Sequence, residues 1–219
     1  MQFAMSYSGG KDSALALYRL VQAGHRPVAL VATLNPEQDR SWFHGLQRPL
    51  LDAIADSLGI PLVVCTCPPA AYGTAFSETL RKTREMGAQA CAFGDIDIAD
   101  HRAWDEQRCR EAGLACLLPL WQEDRAALTA EGMAAGFRAL IKLVRLDCLD
   151  ESFLGKTLTP AVTAAIAAAG ADICGENGEY HTVVYDGPLF ARPIPLRTQG
   201  IVRFGTHAAA DIVLDEPAR

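Results

Sequence analysis

The sequence has 219 residues, of which 50% are hydrophobic and 21% are charged. A chain of this length and composition buries a substantial core, which excludes disorder and predicts one large domain or one domain with a smaller appended part. The formal net charge of −6 excludes a general attraction to nucleic acids or anionic membranes, and it favours a small-molecule or protein substrate.

The absence of targeting signals and the spacing of the cysteines indicate the cellular compartment. No basic segment followed by an apolar one opens the chain, and no stretch approaches about 20 uninterrupted apolar residues. The seven cysteines include no Cys-x-x-Cys pair, which argues against a disulfide framework and against a zinc ribbon. We therefore expect a cytoplasmic protein that does not bind membranes and whose cysteines are mostly small buried hydrophobic residues.

The most informative segment, residues 8–13, lies between an apolar run at 3–5 and an amphipathic run at 14–21. This order predicts a strand, a tight glycine turn and a helix. The unpaired N–H groups and the dipole at the start of such a helix favour an anion, and phosphate is the obvious ligand.

The residue types of this turn suit a phosphate site. Glycines let an oxygen approach the backbone, serines add hydroxyl donors, and lysine adds positive charge. The aspartate indicates either Mg²⁺ between itself and the phosphates or a helix cap. The spacing matches neither a Walker A loop nor G-x-G-x-x-G. The predicted phosphate contacts of the turn are Ser8, Gly9, Gly10, Lys11, Asp12 and Ser13.

Strands and helices alternate through the rest of the first half. The predicted strands are 27–33, 61–66, 89–93 and 115–118, and the predicted helices are 45–58, 70–86 and 101–112. Strands that are apolar throughout indicate an α/β fold, a Rossmann-like doubly wound parallel sheet with helices on both faces. In such sheets, ligands bind beyond the carboxyl ends of the strands.

The pattern changes after residue 121. It predicts a helix at 125–136, a strand at 139–145, an alanine-rich helix at 160–169 and a polar turn entering a strand at 182–185. No linker rich in proline, glycine or serine separates the halves, so we expect two parts, 1–122 and 123–219, packed together. Residues from about 197 onward match no motif.

A charged loop at 94–102 follows the fourth predicted strand. We expect Asp95 at the end of that strand as a metal or phosphate contact, with Asp100 capping the helix that His101 and Arg102 open. A solvated acidic loop explains Asp97 and Asp100 equally well. The predicted metal or phosphate contacts of this loop are Gly94 and Asp95.

A second polar cluster occupies residues 175–182. In an extended segment, Glu179 and His181 share one face and Tyr180 points to the other. Glu179 and His181 are therefore candidates for binding a cation or for acting as an acid–base pair. An exposed hairpin turn with incidental charges is the alternative.

Both clusters resemble the motifs of a known family. Residues 8–13 resemble the SGGxDS signature of the PP-loop ATP pyrophosphatases. Residues 174–182, continued by 185–190, resemble the GENGEYHT signature of the diphthine–ammonia ligase family, a branch of that superfamily with an adenine nucleotide alpha-hydrolase-like fold. Shorter similar stretches at 93–96, 119–121 and 153–156 extend the likeness from residue 3 to about 190.

The resemblance implies a chemistry. The first loop holds the β- and γ-phosphates of ATP with Mg²⁺, a substrate carboxylate attacks the α-phosphate to give an acyl-adenylate and pyrophosphate, and ammonia displaces AMP to form an amide. It implies a PP-loop ATP-binding domain over 1–122 and a C-terminal substrate-binding domain over 123–219. The expected partners are ATP, ammonium and a carboxylate on a small molecule or a modified protein side chain, together with a second copy in a homodimer.

The resemblance also distributes roles among residues. It places catalysis on Lys11, Asp12, Glu179 and His181, and a metal on Asp12 and Asp95. The carboxylates of Glu176 and Glu179 suit ammonium, whereas a carboxylate substrate needs a positive group or a metal to offset them. The implied substrate contacts are Gly175, Glu176, Asn177, Gly178, Glu179, Tyr180, His181, Thr182 and Arg102.

Several points stay open. Residues 101–106 look like those of bacterial family members, and because bacteria do not make diphthamide, the acceptor acid is undetermined. His44 has a family-like position from which it could approach the nucleotide, but a histidine before a helix is more often a cap or a surface residue, and we favour that interpretation. Lys156 is either a phosphate contact or a solvated lysine. A PP-loop tRNA-modifying enzyme is one alternative function, although the chain has neither a Cys-x-x-Cys pair nor a positive net charge. A non-catalytic ATP sensor is another.

Overall fold

The computed structural model describes residues 1–215 and contains a six-stranded and a four-stranded sheet. The elements of the first part are β1 (Gln2–Ser6), α1 (Lys11–Gln22), β2 (Arg26–Asn35), β3 (Arg40–Ser41), α2 (Arg48–Leu58), β4 (Leu62–Thr66), α3 (Tyr72–Glu85), β5 (Ala90–Ala92), α4 (Ala99–Ala112) and β6 (Ala115–Leu117). Those of the second part are α5 (Arg125–Ala134), β7 (Arg138–Arg145), α6 (Pro160–Ala168), β8 (Tyr180–Asp186), β9 (Leu196–Phe204) and β10 (His207–Leu214). Short 3-10 turns occupy Pro69–Ala71 and Glu151–Phe153.

The first sheet is doubly wound around β1. Strands β2 and β4 extend it in parallel on one side, and β5 and β6 extend it in parallel on the other. The two-residue β3 pairs antiparallel with the end of β2. The predicted α/β, Rossmann-like fold class is confirmed by this topology.

The sequence of β1 explains why both faces of this sheet are covered. Phe3, Ala4 and Met5 are each 0% exposed. Successive side chains of a strand point to opposite faces, so Phe3 and Met5 join the core under α1 and α2, while Ala4 joins the core under α3 and α4. A strand that is apolar at every position therefore suits burial between two helical layers.

The second sheet is antiparallel, in the order β8-β7-β10-β9, and it packs on the α1 and α2 side. Residues of β7 and β8 such as Ile141 and Val183 belong to the same core as Phe3. The backbone N–H of Val184 donates to the carbonyl oxygen of Gly9 at 2.8 Å, which fastens β8 to the glycine turn. The domain boundary at residue 122 stays a prediction.

Two helices of the first part end at glycines, and the start of α4 differs from the prediction. Helices α2 and α4 end at Gly59 and Gly113, which have φ values of 65° and 70°. Helix α4 begins at Ala99, with Ile98 as its N-cap residue and no side-chain cap. The prediction that Asp100 caps this helix is therefore wrong: Asp100 lies in the first turn, where its charge still complements the helix dipole.

The segment without an assigned motif forms the β9–β10 hairpin. Strand β10 is largely buried, whereas eight of the nine residues of β9 are exposed, so β9 carries no alternating pattern that predicts a half-buried strand. Within residues 1–215, no helix is long and apolar enough to cross a membrane.

Candidate active site

The glycine turn (residues 8–13) lies at the carboxyl end of β1, where the strand order of the parallel sheet reverses. This reversal leaves a crevice between the loops after β1 and β5. Gly94, which follows β5, lies against the start of α1 so closely that a Cβ there would be 2.8 Å from Asp12 C and Ser13 N. The predicted nucleotide loops therefore meet, as expected from their positions after neighbouring strands.

The backbone of the glycine turn is open to an anion. Gly9 has φ +85°, and α1 begins directly after Gly10, which caps the helix without a side chain. The Lys11 N–H donates to Thr182 Oγ1 at 3.1 Å, so a residue of the second motif completes one of the helix-start contacts. Ser13 Oγ donates to the Gly10 carbonyl oxygen at 2.9 Å and holds the turn closed. A helix N-terminus whose N-cap residue offers no side-chain acceptor attracts negative charge.

Lys11 is fixed rather than mobile. Its Nζ donates to both carboxylate oxygens of Asp12 at 2.8 Å and lies 3.3 Å from Cys174 Sγ. Burial is the largest single influence and lowers the pKa of Lys11, but the charge of Asp12, its hydrogen bond to Lys11 and the nearby Cys174 and Tyr180 together raise it by more, so the net pKa lies well above the usual value. Lys11 therefore remains charged at the glycine turn. Asp12 does not cap the helix, because its carboxylate is taken up by Lys11.

One cavity of about 480 Å³ joins the two motifs. Its wall includes residues of the glycine turn, of the loop after β5 and of the segment that leads into β8. The predicted site residues that line it are Ser8, Lys11, Asp12, Ser13, Gly94, Asp95, Gly175, Glu176, Tyr180, His181 and Thr182. The predicted site residues outside its lining are Gly9, Gly10, Arg102, Asn177, Gly178 and Glu179.

Glu179 does not face this cavity. Its carboxylate, on a residue only 7% exposed, accepts from the backbone N–H of Asn177 at 3.1 Å and from the Asn177 side chain at 3.3 Å. Strand β8 begins one residue later, so Glu179 closes the turn and does not share a strand face with His181. The expected pairing of Glu179 with His181 is therefore not formed. Tyr180, expected on the opposite face, lines the cavity together with His181.

Arg102 also lies elsewhere. It is exposed, donates to Glu106 at 2.7 Å one helical turn away, and its guanidinium lies 5.2 Å from the centroid of the Trp121 ring. Lys156 is exposed too, with its Nζ 5.0 Å from the centroid of the Phe153 ring, and does not line the cavity. These positions favour the solvated interpretation of Lys156.

Carboxylates gather on the side of the cavity beyond the glycine turn. Ligand atoms of Asp95, His101 and Glu176 lie within 4.8 Å of one another. His101 Nδ1 is 3.0 Å from Asp95 Oδ1, and this contact raises the pKa of His101. Burial, followed by the charge of Asp12, raises the pKa of Glu176 to about 7. Asp12, the other predicted metal ligand, is not in this group.

Asp105 extends the same group, and sequence reasoning missed it. It is 3% exposed and lines the cavity, and within the described residues its Oδ2 has no hydrogen-bond partner. Burial and the adjacent Asp95 raise the pKa of Asp105 to about 10. We call Asp95, His101, Asp105 and Glu176 the acidic end of the cavity, and the glycine turn with Lys11 and Thr182 the phosphate end.

Aromatic side chains complete the wall. Phe43, Tyr72 and Trp104 line the cavity, and the rings of Tyr72 and Trp104 lie 5.7 Å apart. Such a wall offers flat apolar surface to a ring-shaped ligand.

His44 belongs to the phosphate end, so its interpretation as a cap or surface residue is wrong. Its Nδ1 lies 2.7 Å from the Thr182 carbonyl oxygen, and its ring centroid lies 4.8 Å from that of His181. Because a carbonyl oxygen only accepts, Nδ1 of His44 carries the proton. Burial lowers the pKa of His44 to about 4 and that of His181 to about 3, so both imidazoles are neutral near pH 7.

Comparisons with known proteins agree with the two motifs. Residues 1–116 match the diphthamide synthase N-terminal domain, and residues 125–213 match the diphthamide synthase C-terminal domain. A protein of Danio rerio named diphthine–ammonia ligase is 32% identical over 212 residues, covering 85% of this chain and 83% of that protein. A protein of Rattus norvegicus with the same name is 29% identical over 238 residues, covering 97% of this chain and 89% of that protein.

Among solved structures, a predicted subunit of a tRNA methyltransferase from Methanocaldococcus jannaschii has a TM-score of 0.45 and 15% identity. That similarity covers 86% of this chain and 98% of that one, and it is too low to carry a functional argument.

Proposed function

The chain belongs to the diphthamide synthase family, and we propose that it joins ammonia to a carboxylate substrate, converting ATP to AMP and pyrophosphate. The ATP-dependent ligase class predicted from the sequence is confirmed by relatives named diphthine–ammonia ligase that match most of the chain. The C-terminal domain match ends at residue 213, so the family likeness extends beyond the predicted limit of about 190. The roles of individual residues are our proposal.

One observation carries the assignment of roles: a single cavity is lined by the glycine turn and by Glu176. The phosphate end supplies helix-start N–H groups and the fixed charge of Lys11, which suit the β- and γ-phosphates. The acidic end supplies carboxylates, which suit ammonium. The α-phosphate of a nucleotide bound at the glycine turn then lies between an anion site and a cation site.

The reaction proceeds in two balanced steps. A carboxylate oxygen of the acceptor attacks the α-phosphorus, and the bond from that phosphorus to the bridging oxygen breaks, releasing pyrophosphate. Ammonia then attacks the carbonyl carbon of the acyl-adenylate, AMP leaves with the electron pair of the carbon–oxygen bond, and the nitrogen loses a proton. Lys11 stabilises the departing pyrophosphate, and Glu176, with a pKa of about 7, accepts the proton that ammonium gives up before attack.

Mg²⁺ fits the acidic end through oxygen ligands. Asp95 offers carboxylate oxygens, and the buried, unpartnered Oδ2 of Asp105 beside it suits a nearby cation, while Glu176 is left to hold ammonium. His101 is a ligand that Mg²⁺ rarely uses, so we assign the ion to the carboxylates. A Mg²⁺ ion there would neutralise phosphate charge.

The remaining expectations belong to this proposal. They are a carboxylate acceptor on a small molecule or a modified protein side chain, a homodimer and a cytoplasmic location. The runner-up functions, a tRNA-modifying enzyme and an ATP sensor, gain no support from the family match.

The experiment is a product analysis. The protein is incubated with Mg-ATP, ammonium and a panel of carboxylic acids, including diphthine-containing protein, and nucleotide products are separated. We expect AMP and pyrophosphate in equal amounts, formed only when an acceptor acid is present. Formation of ADP and orthophosphate would contradict attack at the α-phosphate.

A further inference from the structure

Two imidazoles in the wall of the cavity come from different parts of the chain. His44 precedes α2 in the first part, and His181 lies on β8 in the second. Their ring centroids are 4.8 Å apart, and both side chains line the cavity. Neither is used by the steps derived above.

The pair lies directly on the glycine turn. A Cβ added to Gly10 would be 2.4 Å from Cε1 of His44, so the imidazole occupies the space that a side chain at the start of α1 would need. Thr182 links the two groups, because its carbonyl oxygen accepts from His44 and its hydroxyl accepts from the Lys11 N–H. The imidazoles are therefore held by the backbone that forms the phosphate end.

The hydrogen bonds of the pair leave ring nitrogens available. His44 uses Nδ1 for Thr182, which leaves Nε2 with a lone pair. Within residues 1–215, the His181 ring makes no hydrogen bond to another protein group. Ring nitrogens that line a cavity without a protein partner are suited to a ligand.

The charges around the pair favour an anion. The ionisable groups that act on the two rings are Lys11 and Asp12 from α1, Lys142 from β7 and His207 from β10. The carboxylate of Asp12 is already paired with Lys11. The balance is positive, which opposes protonation of the empty pair and is relieved by a bound phosphate.

We infer that His44 and His181 form a second wall of the phosphate end and contact the terminal phosphates of the bound nucleotide. The inference rests on the proposed function, because it assigns contacts within the same site. A phosphate oxygen and the unprotonated Nε2 of His44 are both acceptors, so the contact requires a proton between them. Phosphate binding and protonation of His44 are therefore coupled, whereas the neutral ring of His181 already carries one N–H that can donate to phosphate.

The probe for this inference is inorganic pyrophosphate. Histidine ring signals of the wild-type protein are followed by NMR at pH 7 with pyrophosphate, ATP or AMP. With pyrophosphate and with ATP, but not with AMP, we expect the signal of His44 to move to its protonated position and the signal of His181 to shift. His44→Gln and His181→Gln assign the two signals.

Affinity gives a second readout. His44→Gln and His181→Gln should each bind pyrophosphate about tenfold more weakly than the wild type, because each loses one charge-assisted contact. Their affinity for AMP should equal that of the wild type. His25→Gln is the matched control, because His25 lies outside the cavity lining and bonds to the N-terminus. Its pyrophosphate affinity should equal that of the wild type.

Two outcomes overturn the inference alone. One is pyrophosphate binding without a shift of either ring, and the other is wild-type pyrophosphate affinity in both variants with weakened AMP binding. A wild-type protein that binds neither pyrophosphate nor ATP overturns the inference and the proposed function together.

Discussion

The two ends of the cavity hold their charges in different ways. At the phosphate end, the positive charge of Lys11 is fixed by two 2.8 Å contacts to Asp12, and the backbone is tied to β8. At the acidic end, Asp105 has a buried oxygen without a partner and Glu176 has a pKa raised to about 7. A paired site is ready for its ligand, whereas a site of crowded carboxylates is completed by the cation that it binds.

The loss of Lys11 should have the largest effect on turnover. Lys11→Ala removes the positive charge at the glycine turn and leaves Asp12 to repel phosphate, so pyrophosphate release should fall at least about 100-fold. Lys156→Ala is the matched control, because this exposed lysine does not line the cavity. Turnover is measured by pyrophosphate release, and circular dichroism checks the fold. Equal turnover of the two variants would remove Lys11 from the site.

The second largest effect should come from disturbing the packing between the loops after β1 and β5. Gly94→Ala places a methyl group 2.8 Å from backbone atoms of Asp12 and Ser13, which should lower the free energy of unfolding by about 1–3 kcal/mol and weaken ATP binding. Gly132→Ala, in α5 with no atom within 4 Å of its Cβ, should be neutral or stabilising by up to about 1 kcal/mol. Urea denaturation and ATP titration measure both. Similar behaviour of the two variants would show that the loop contact is unimportant.

Variants of two glutamates distinguish the acidic end of the cavity from the turn beside it. Glu176→Gln removes a cavity carboxylate and should raise the KM for ammonium about tenfold. Glu179→Gln should leave that KM unchanged and lower stability instead, because Glu179 closes the turn with Asn177. Steady-state kinetics with ammonium as the varied substrate distinguishes the glutamates. An increase for Glu179→Gln alone would reverse our assignment.

The smallest effect is on the pH dependence of stability. His44 and His181 have pKa values of about 4 and about 3 in the folded chain, below the 6.5 of a free histidine, so the unfolded chain binds more protons. Their stabilising contribution is present above pH 6.5 and is lost as the pH falls toward 4. The free energy of unfolding should thus drop more steeply between pH 6.5 and 5 in the wild type than in His44→Gln/His181→Gln. Parallel curves would contradict neutral buried imidazoles.

Local patterns predicted the strand, turn and helix at the phosphate end, because glycine spacing and apolar periodicity act within a few residues. They could not predict His44, whose partner Thr182 is 138 residues away. Asp105 lies inside α4 without a motif, and only burial distinguishes it from a surface carboxylate. Glu179 precedes the first residue of β8 and lies in the turn, where side chains do not alternate as they do along a strand, so the predicted shared face with His181 does not form.

The most direct test of the central claim is a crystal structure with Mg²⁺ and α,β-methylene ATP, which cannot release pyrophosphate. We predict the β- and γ-phosphates at the glycine turn, with the α-phosphorus open toward Gly175 and Glu176. A γ-phosphate facing these residues, or a triphosphate outside the cavity, would contradict the account.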